Sequence, residues 1–183
     1  MSLQKPVEAL WSALERVRAE VLRETEGLSQ RQVDWKPGQD WSVGEILDHL
    51  TIAEIATGKL TTKLTKEAEA AGTLTPWPPD LAAFKPLPPD PPGPAEAPQV
   101  VWPAAGKPIG DLIAAMKAAR QRSRQSIERL ATVDPRTLLF KHGRLGELDL
   151  AQWWQLQVRH DGIHLAQIRD VKRAGGFPKA ERA

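Results

Sequence analysis

Apolar side chains recur along this chain at three- and four-residue steps in four separate stretches, with charged residues filling the gaps. In the first, residues 7–26, Val7, Leu10, Trp11, Leu14, Val17, Val21 and Leu22 carry the repeat, while Glu8, Glu15, Arg18 and Glu24 fall between them. That period marks one face of an amphipathic α-helix. The segment QRQVDWKPGQD that follows reads as a turn, broken by Pro37 and Gly38. A second helix is predicted over 43–70. In W-S-V-G-E-I, Ser42 can accept the Glu45 amide while the Glu45 carboxylate reaches back to the Ser42 amide, and Trp41 and Ile46 sit at the positions of a hydrophobic staple. Leu47, Leu50, Ala53, Leu60 and Leu64 continue its face, and Gly72 ends it. The third helix, 109–132, carries Ile109, Leu112, Ile113, Met116, Ala119, Ser123, Ile127 and Leu130 and stops before Asp134-Pro135. The fourth, 149–174, opens on Asp149 with Gln152 as its capping partner and closes at Gly175-Gly176. No strand pattern interrupts the four.

Between the second and third helices, residues 73–108 hold 12 of the 16 prolines, with Trp77, Phe84 and Trp102 among them. Proline at that density excludes helix and central strand. So long an irregular segment fits a compact fold when two consecutive helices lie parallel, because the chain must then travel back along the bundle. A helix of that length spans about 42 Å, which some 36 extended residues cover with slack. The three aromatics favour packing on the chain's own bundle over a proline-rich ligand for a partner module. The expected fold is all-α: one four-helix bundle spanning residues 1–183, with a proline-rich crossover.

Composition changes this picture little. The chain is 41% hydrophobic and 26% charged, which is globular, and Lys plus Arg exceed Asp plus Glu by only two. The pI near 9.0 therefore reflects a small imbalance, and no nucleic-acid partner is expected. Lys117, Arg120 and Arg124 share a helix face without interleaved aromatics, which reads as a solvated surface. The absence of cysteine excludes disulfides and thiolate metal sites. No run approaches a membrane span and no apolar leader opens the chain, so a cytoplasmic location is expected.

Chemistry concentrates in three histidines. His160 and His164 are four apart, one turn above the other on the same helix side, and both can reach a single ion. Trp153, Gln157, His160, His164, Ile168 and Val171 form a stripe expected to face the interior, where unpaired imidazoles are costly. His49, between Ile46 and Ala53 on the second helix, can supply a third ligand across the bundle. Any one of these histidines has an ordinary structural explanation; the three together point to a divalent metal, zinc or nickel, with a coordination position left open. His142, beside Gly143, is expected in an exposed loop and outside the site. H-D-G-I-H is not the zinc-protease H-E-x-x-H: the acid is one methylene shorter and a glycine follows it. Gly162 is expected to permit close approach of another helix or of ligand. Asp161 is expected either behind the ligands or solvated, and Gln167 either at the ligand or metal-bound water or on the surface.

The segments W-S-V-G-E-I-L-D-H-L and H-D-G-I-H-L-A-Q-I resemble the two signature regions of the DinB-like superfamily. The resemblance implies an up-down-down-up bundle, a divalent metal on His49, His160 and His164, and a homodimer. It also implies a metal-dependent enzyme acting on a small molecule, since characterised relatives include low-molecular-weight-thiol transferases and a thiol-dependent isomerase in which the metal activates the cosubstrate sulfur. Transferase and hydrolase both fit; a non-catalytic metal-binding or stress-response module is the alternative. The crossover is longer and richer in proline than the family pattern, so a relative's substrate does not carry over.

Overall fold

A computed structural model describes residues 3–93 and 97–179. Its helices are α1 (Lys5–Thr25), α2 (Gln30–Asp34), α3 (Val43–Ala70), α4 (Ile109–Leu130) and α5 (Leu150–Arg173), and α1, α3, α4 and α5 are those read from the apolar repeats. Reciprocal capping boxes start α3 (Ser42 with Glu45) and α5 (Asp149 with Gln152), each satisfying two helix-end amides. Gly72, at φ 66°, closes α3 in the left-handed conformation that glycine adopts without a Cβ penalty.

Two apolar clusters show how the helices run. One joins Val7, Leu10 and Leu14 of α1 to Leu64 of α3, Ile127 and Leu130 of α4, and Leu150 and Trp154 of α5. The other joins Val21 to Val43, Ile46, Leu47 and Leu50, to Leu112 and Met116, and to Leu165, Ile168 and Val171. Each end of the bundle therefore collects the start of α1 and α5 with the end of α3 and α4, or the reverse. This is up-down-down-up, with α3 and α4 parallel.

The connector makes the return that parallel helices require. Proline has a carbonyl but no backbone N–H, so a proline-rich stretch has few amides to pair its carbonyls, and neighbouring side chains supply the donors: Gln152 donates to Pro86 O (2.9 Å), Arg159 to Pro88 O (2.8 Å), and Arg144 to Pro91 O (2.8 Å). Trp77 and Phe84 meet edge to face and pack on the far cluster. Trp102 departs from expectation. It is 59% exposed, with its indole N–H on Ala97 O, because this part of the connector is held by backbone and polar contacts instead.

Five further readings are corrected. The stretch taken as a turn contains α2, capped by Ser29 and Gln32, and Gly44 rather than Gly162 marks a close helix approach: a Cβ on Gly44 would lie 2.9 Å from Val33 Cγ1, whereas Gly162 faces open space. A hairpin, β1 (Leu139–His142) and β2 (Gly146–Asp149), precedes α5 where no strand was expected. His142 is half-buried in that hairpin, its Nδ1 accepting the Arg144 and Leu145 amides and its ring lying against Trp153. Trp153 accordingly packs on the hairpin, and its neighbour Trp154 fills the core, its indole N–H donating to Thr61 Oγ1 at 3.0 Å.

The charged residues hold the largest departure. Between the two apolar clusters each long helix contributes one buried charge: Arg18, Glu54, Arg120 and Asp161. Arg18 donates to Asp161 Oδ2 from Nε (3.1 Å) and Nη2 (2.9 Å), and its Nη2 also lies 2.9 Å from Glu54 Oε2. Arg120 donates from Nε to Glu54 Oε1 (2.7 Å) and lies 3.5 Å from Asp161 Oδ2. Arg120 is thus no solvated surface residue, and Asp161, fully buried and also bonded by Gln157 Nε2 (2.9 Å), is neither solvated nor spare. Two cations and two anions cancel, which is what allows the layer to leave water.

Candidate metal centre

His49 lies in the second turn of α3 and His160 and His164 face it from α5, one helix turn apart. Packing of the apolar cluster around Ile46, Leu50, Leu165 and Ile168 sets α3 and α5 side by side, and the rings meet at the edge of that cluster. His160 Nε2 lies 2.9 Å from His49 Nε2 and 3.1 Å from His164 Nε2. One nitrogen from each ring falls within 4.8 Å of the others. Trp41, the residue before the α3 cap, covers the group: its ring centroid is 4.8 Å from that of His49 and 6.1 Å from that of His164.

The remaining nitrogens decide which lone pairs point inward. His49 Nδ1 is 2.7 Å from the Val101 carbonyl, which only accepts, so Nδ1 carries the proton and Nε2 presents a lone pair. His164 Nδ1 is 2.7 Å from Gln167 Oε1, and the Gln167 amide, turned with its oxygen toward the ring, imposes the same tautomer. Gln167 thus contacts a candidate ligand, as one of its two sequence readings has it. Burial holds all three imidazoles neutral. The His160 pKa is pushed down to about 2, with the neighbouring His164, His49 and Arg18 adding to the effect; His164 falls to about 4, and His49 is lowered also, against the pull of Val101 and Asp48.

Three neutral rings with two Nε2 lone pairs fixed on a third nitrogen leave more acceptors than protons. A hydrogen on His160 Nε2 can serve one neighbour at a time, and His160 Nδ1 is buried with no hydrogen-bonding partner. A cation among the three Nε2 atoms satisfies every lone pair at once, and neutral imidazole is the form that binds one. Imidazole nitrogens on a tetrahedral zinc ion stand about 3.3 Å apart, a few tenths of an ångström beyond the two separations here. The residues present fit a divalent ion. Asp161, read as a group behind the ligands or a solvated one, is committed to Arg18 and Arg120, and the sequence reading missed Val101 because its contribution is a backbone carbonyl.

Comparison with known proteins bears on the fold and the family. A solved structure described as TT2238, a four-helix bundle protein, is similar with a TM-score of 0.62 and 14% sequence identity, covering 90% of this chain and 98% of its own; at that identity the likeness speaks for the fold alone. No curated protein matches the chain. No helix among the described residues is long and apolar enough to cross a membrane. The model of the DinB superfamily matches residues 13–168, a span that contains all three histidines, the ion layer and the whole crossover, and the chain belongs to that superfamily.

Proposed function

We propose that His49, His160 and His164 hold a zinc or nickel ion and that the chain is a metal-dependent enzyme acting on a small molecule, with transfer of or to a low-molecular-weight thiol as the reaction class. The observation that carries the reading is the convergence of three neutral imidazole nitrogens, two with their lone pairs set by the partners of Nδ1. When bound, such an ion supplies Lewis acidity, which lowers the pKa of a thiol or water and provides a nucleophile near neutral pH. The protein's own part is placement. Val101 and Gln167 orient two rings, Trp41 shields them from solvent, and the crossover walls one side.

A second reading, in which the ion only clamps α3 to α5, is favoured by one observation. The carboxylates adjacent in sequence to the ligands are both engaged, Asp48 by Lys107 and Ala104 and Asp161 by the two arginines, which leaves no general base there. Calorimetric titration of zinc and nickel into wild type, H49A, H160A, H164A and the control H142A tests the site. Affinity is expected to fall in H49A, H160A and H164A, at least as far for the α5 pair, whose spacing the helix fixes, as for His49. Wild-type affinity in all three, or equal loss in H142A, refutes the site. A thiol-transfer screen on the loaded protein then separates enzyme from clamp.

A further inference from the structure

After running along the bundle, the connector returns at residues 97–107 to the start of α3, where two consecutive side chains hold it. Asp48, 5% exposed, accepts the Ala104 amide on Oδ2 at 2.8 Å and the Lys107 ammonium on Oδ1 at 2.7 Å. His49 gives its Nδ1–H to the Val101 carbonyl at 2.7 Å. The carboxylate therefore grips the chain three and six residues beyond the carbonyl that sets the neighbouring ring. Gln30 also holds the far end of this stretch, its Nε2 donating to Lys107 O at 3.1 Å, but Val100 and Trp102, on either side of Val101, are 82% and 59% exposed, so apolar packing does little to hold Val101 in place.

A neutral histidine has two tautomers, and the partner of one nitrogen decides whether the other offers a lone pair. We propose that Asp48 is a positioning residue of the histidine site: it anchors residues 101–107 so that the Val101 carbonyl selects the tautomer of His49 whose Nε2 faces His160 and His164. The consequence for metal affinity rests on the metal-centre reading above. The tautomer does not, since it belongs to the metal-free protein. A brace with no such role lowers stability when removed but leaves the ring's protonation pattern alone.

Long-range proton–nitrogen correlation spectra of histidine-labelled, metal-free protein report the tautomer of each ring directly. Wild type is expected to show His49 with the proton on Nδ1. In D48A the His49 nitrogens are expected to move toward the averaged shifts of a tautomer mixture, while amide exchange over residues 97–107 rises about tenfold or more and zinc affinity falls about 10- to 100-fold. K107M, which removes only the half-exposed ion pair, is expected to do the same more weakly. If D48A does not fold, as judged by helical circular dichroism, D48N takes its place: it keeps one acceptor and loses the charge. A pure Nδ1–H tautomer at His49 with wild-type exchange over residues 97–107, in D48A or in its replacement, overturns the proposal. Failure of wild type to bind zinc overturns the metal-centre reading and leaves the tautomer comparison standing.

Discussion

Removing one charge from the layer in the middle of the bundle should cost far more than removing a matched pair. In R18M, Asp161 and Glu54 remain buried with only Arg120 between them; Arg120 already donates to Glu54 at 2.7 Å and stands 3.5 Å from Asp161, so it cannot serve both at close range. An uncompensated buried charge of this kind costs about 3–5 kcal/mol, and D161L, which leaves two guanidinium groups with one buried carboxylate and the half-exposed Glu15 at 3.3 Å from Arg120, should lose a similar amount. In R18M/D161L the remaining Arg120–Glu54 pair is neutral and keeps its 2.7 Å bond, so the expected loss is about 1 kcal/mol against about 6–10 for the sum of the singles. Urea unfolding followed by circular dichroism, with a chelator present so that histidine-bound metal plays no part, gives the three values. A double variant as unstable as the sum, or an R18M variant within about 0.5 kcal/mol of wild type, would refute charge balance as the reason the layer is tolerated.

The other predictions concern the histidine site and its cover. Because burial depresses the pKa of His160 to about 2 and of His164 to about 4, the unfolded chain takes up protons below about 6.5 that the folded chain refuses; metal-free stability should decline from that pH downward, by about 2 kcal/mol per ring at pH 5, until each folded pKa is reached. Urea midpoints of wild type and H160N/H164N between pH 7 and 5 check this, and parallel pH dependences would contradict it. Q167A frees the His164 tautomer and should weaken zinc binding about tenfold by calorimetry; unchanged affinity removes Gln167 from the site. Limited thermolysin digestion should cut before exposed Val100 ahead of packed Phe84, and early cleavage before Phe84 would mean that the first half of the connector is not held.

What the sequence makes legible follows from what repeats or caps. The four long helices, the parallel pair implied by the crossover, and the convergence of His49, His160 and His164 could be read because periodicity and i, i+4 spacing are local properties. The hairpin could not: Leu139, Phe140 and Lys141 are all exposed, so β1 has no buried face and no alternation to detect. The capping box of α2 was present as Ser29 and Gln32, a legible signal hidden by the proline and glycine just after it. Arg18, Glu54, Arg120 and Asp161 each look like an ordinary solvated helix charge, and only their meeting across four helices shows otherwise. Val101 contributes a carbonyl that any residue has, and no side-chain pattern marks it.

The crossover also bears on how such a protein can change. Closing a longer loop costs only about 0.6 kcal/mol per doubling of its length, so insertions and deletions between α3 and α4 disturb the bundle little as long as the span is still covered. The helices that carry the three imidazoles are tied together by two apolar clusters and a charge layer and have no such latitude. The same loosely constrained segment supplies the wall beside the histidines and the carbonyl that orients one of them. The three imidazoles and their surroundings are thereby divided between a part of the chain that resists change and a part that tolerates it, so what lies beside the rings can be altered by insertion into the crossover while the rings themselves stay where they are.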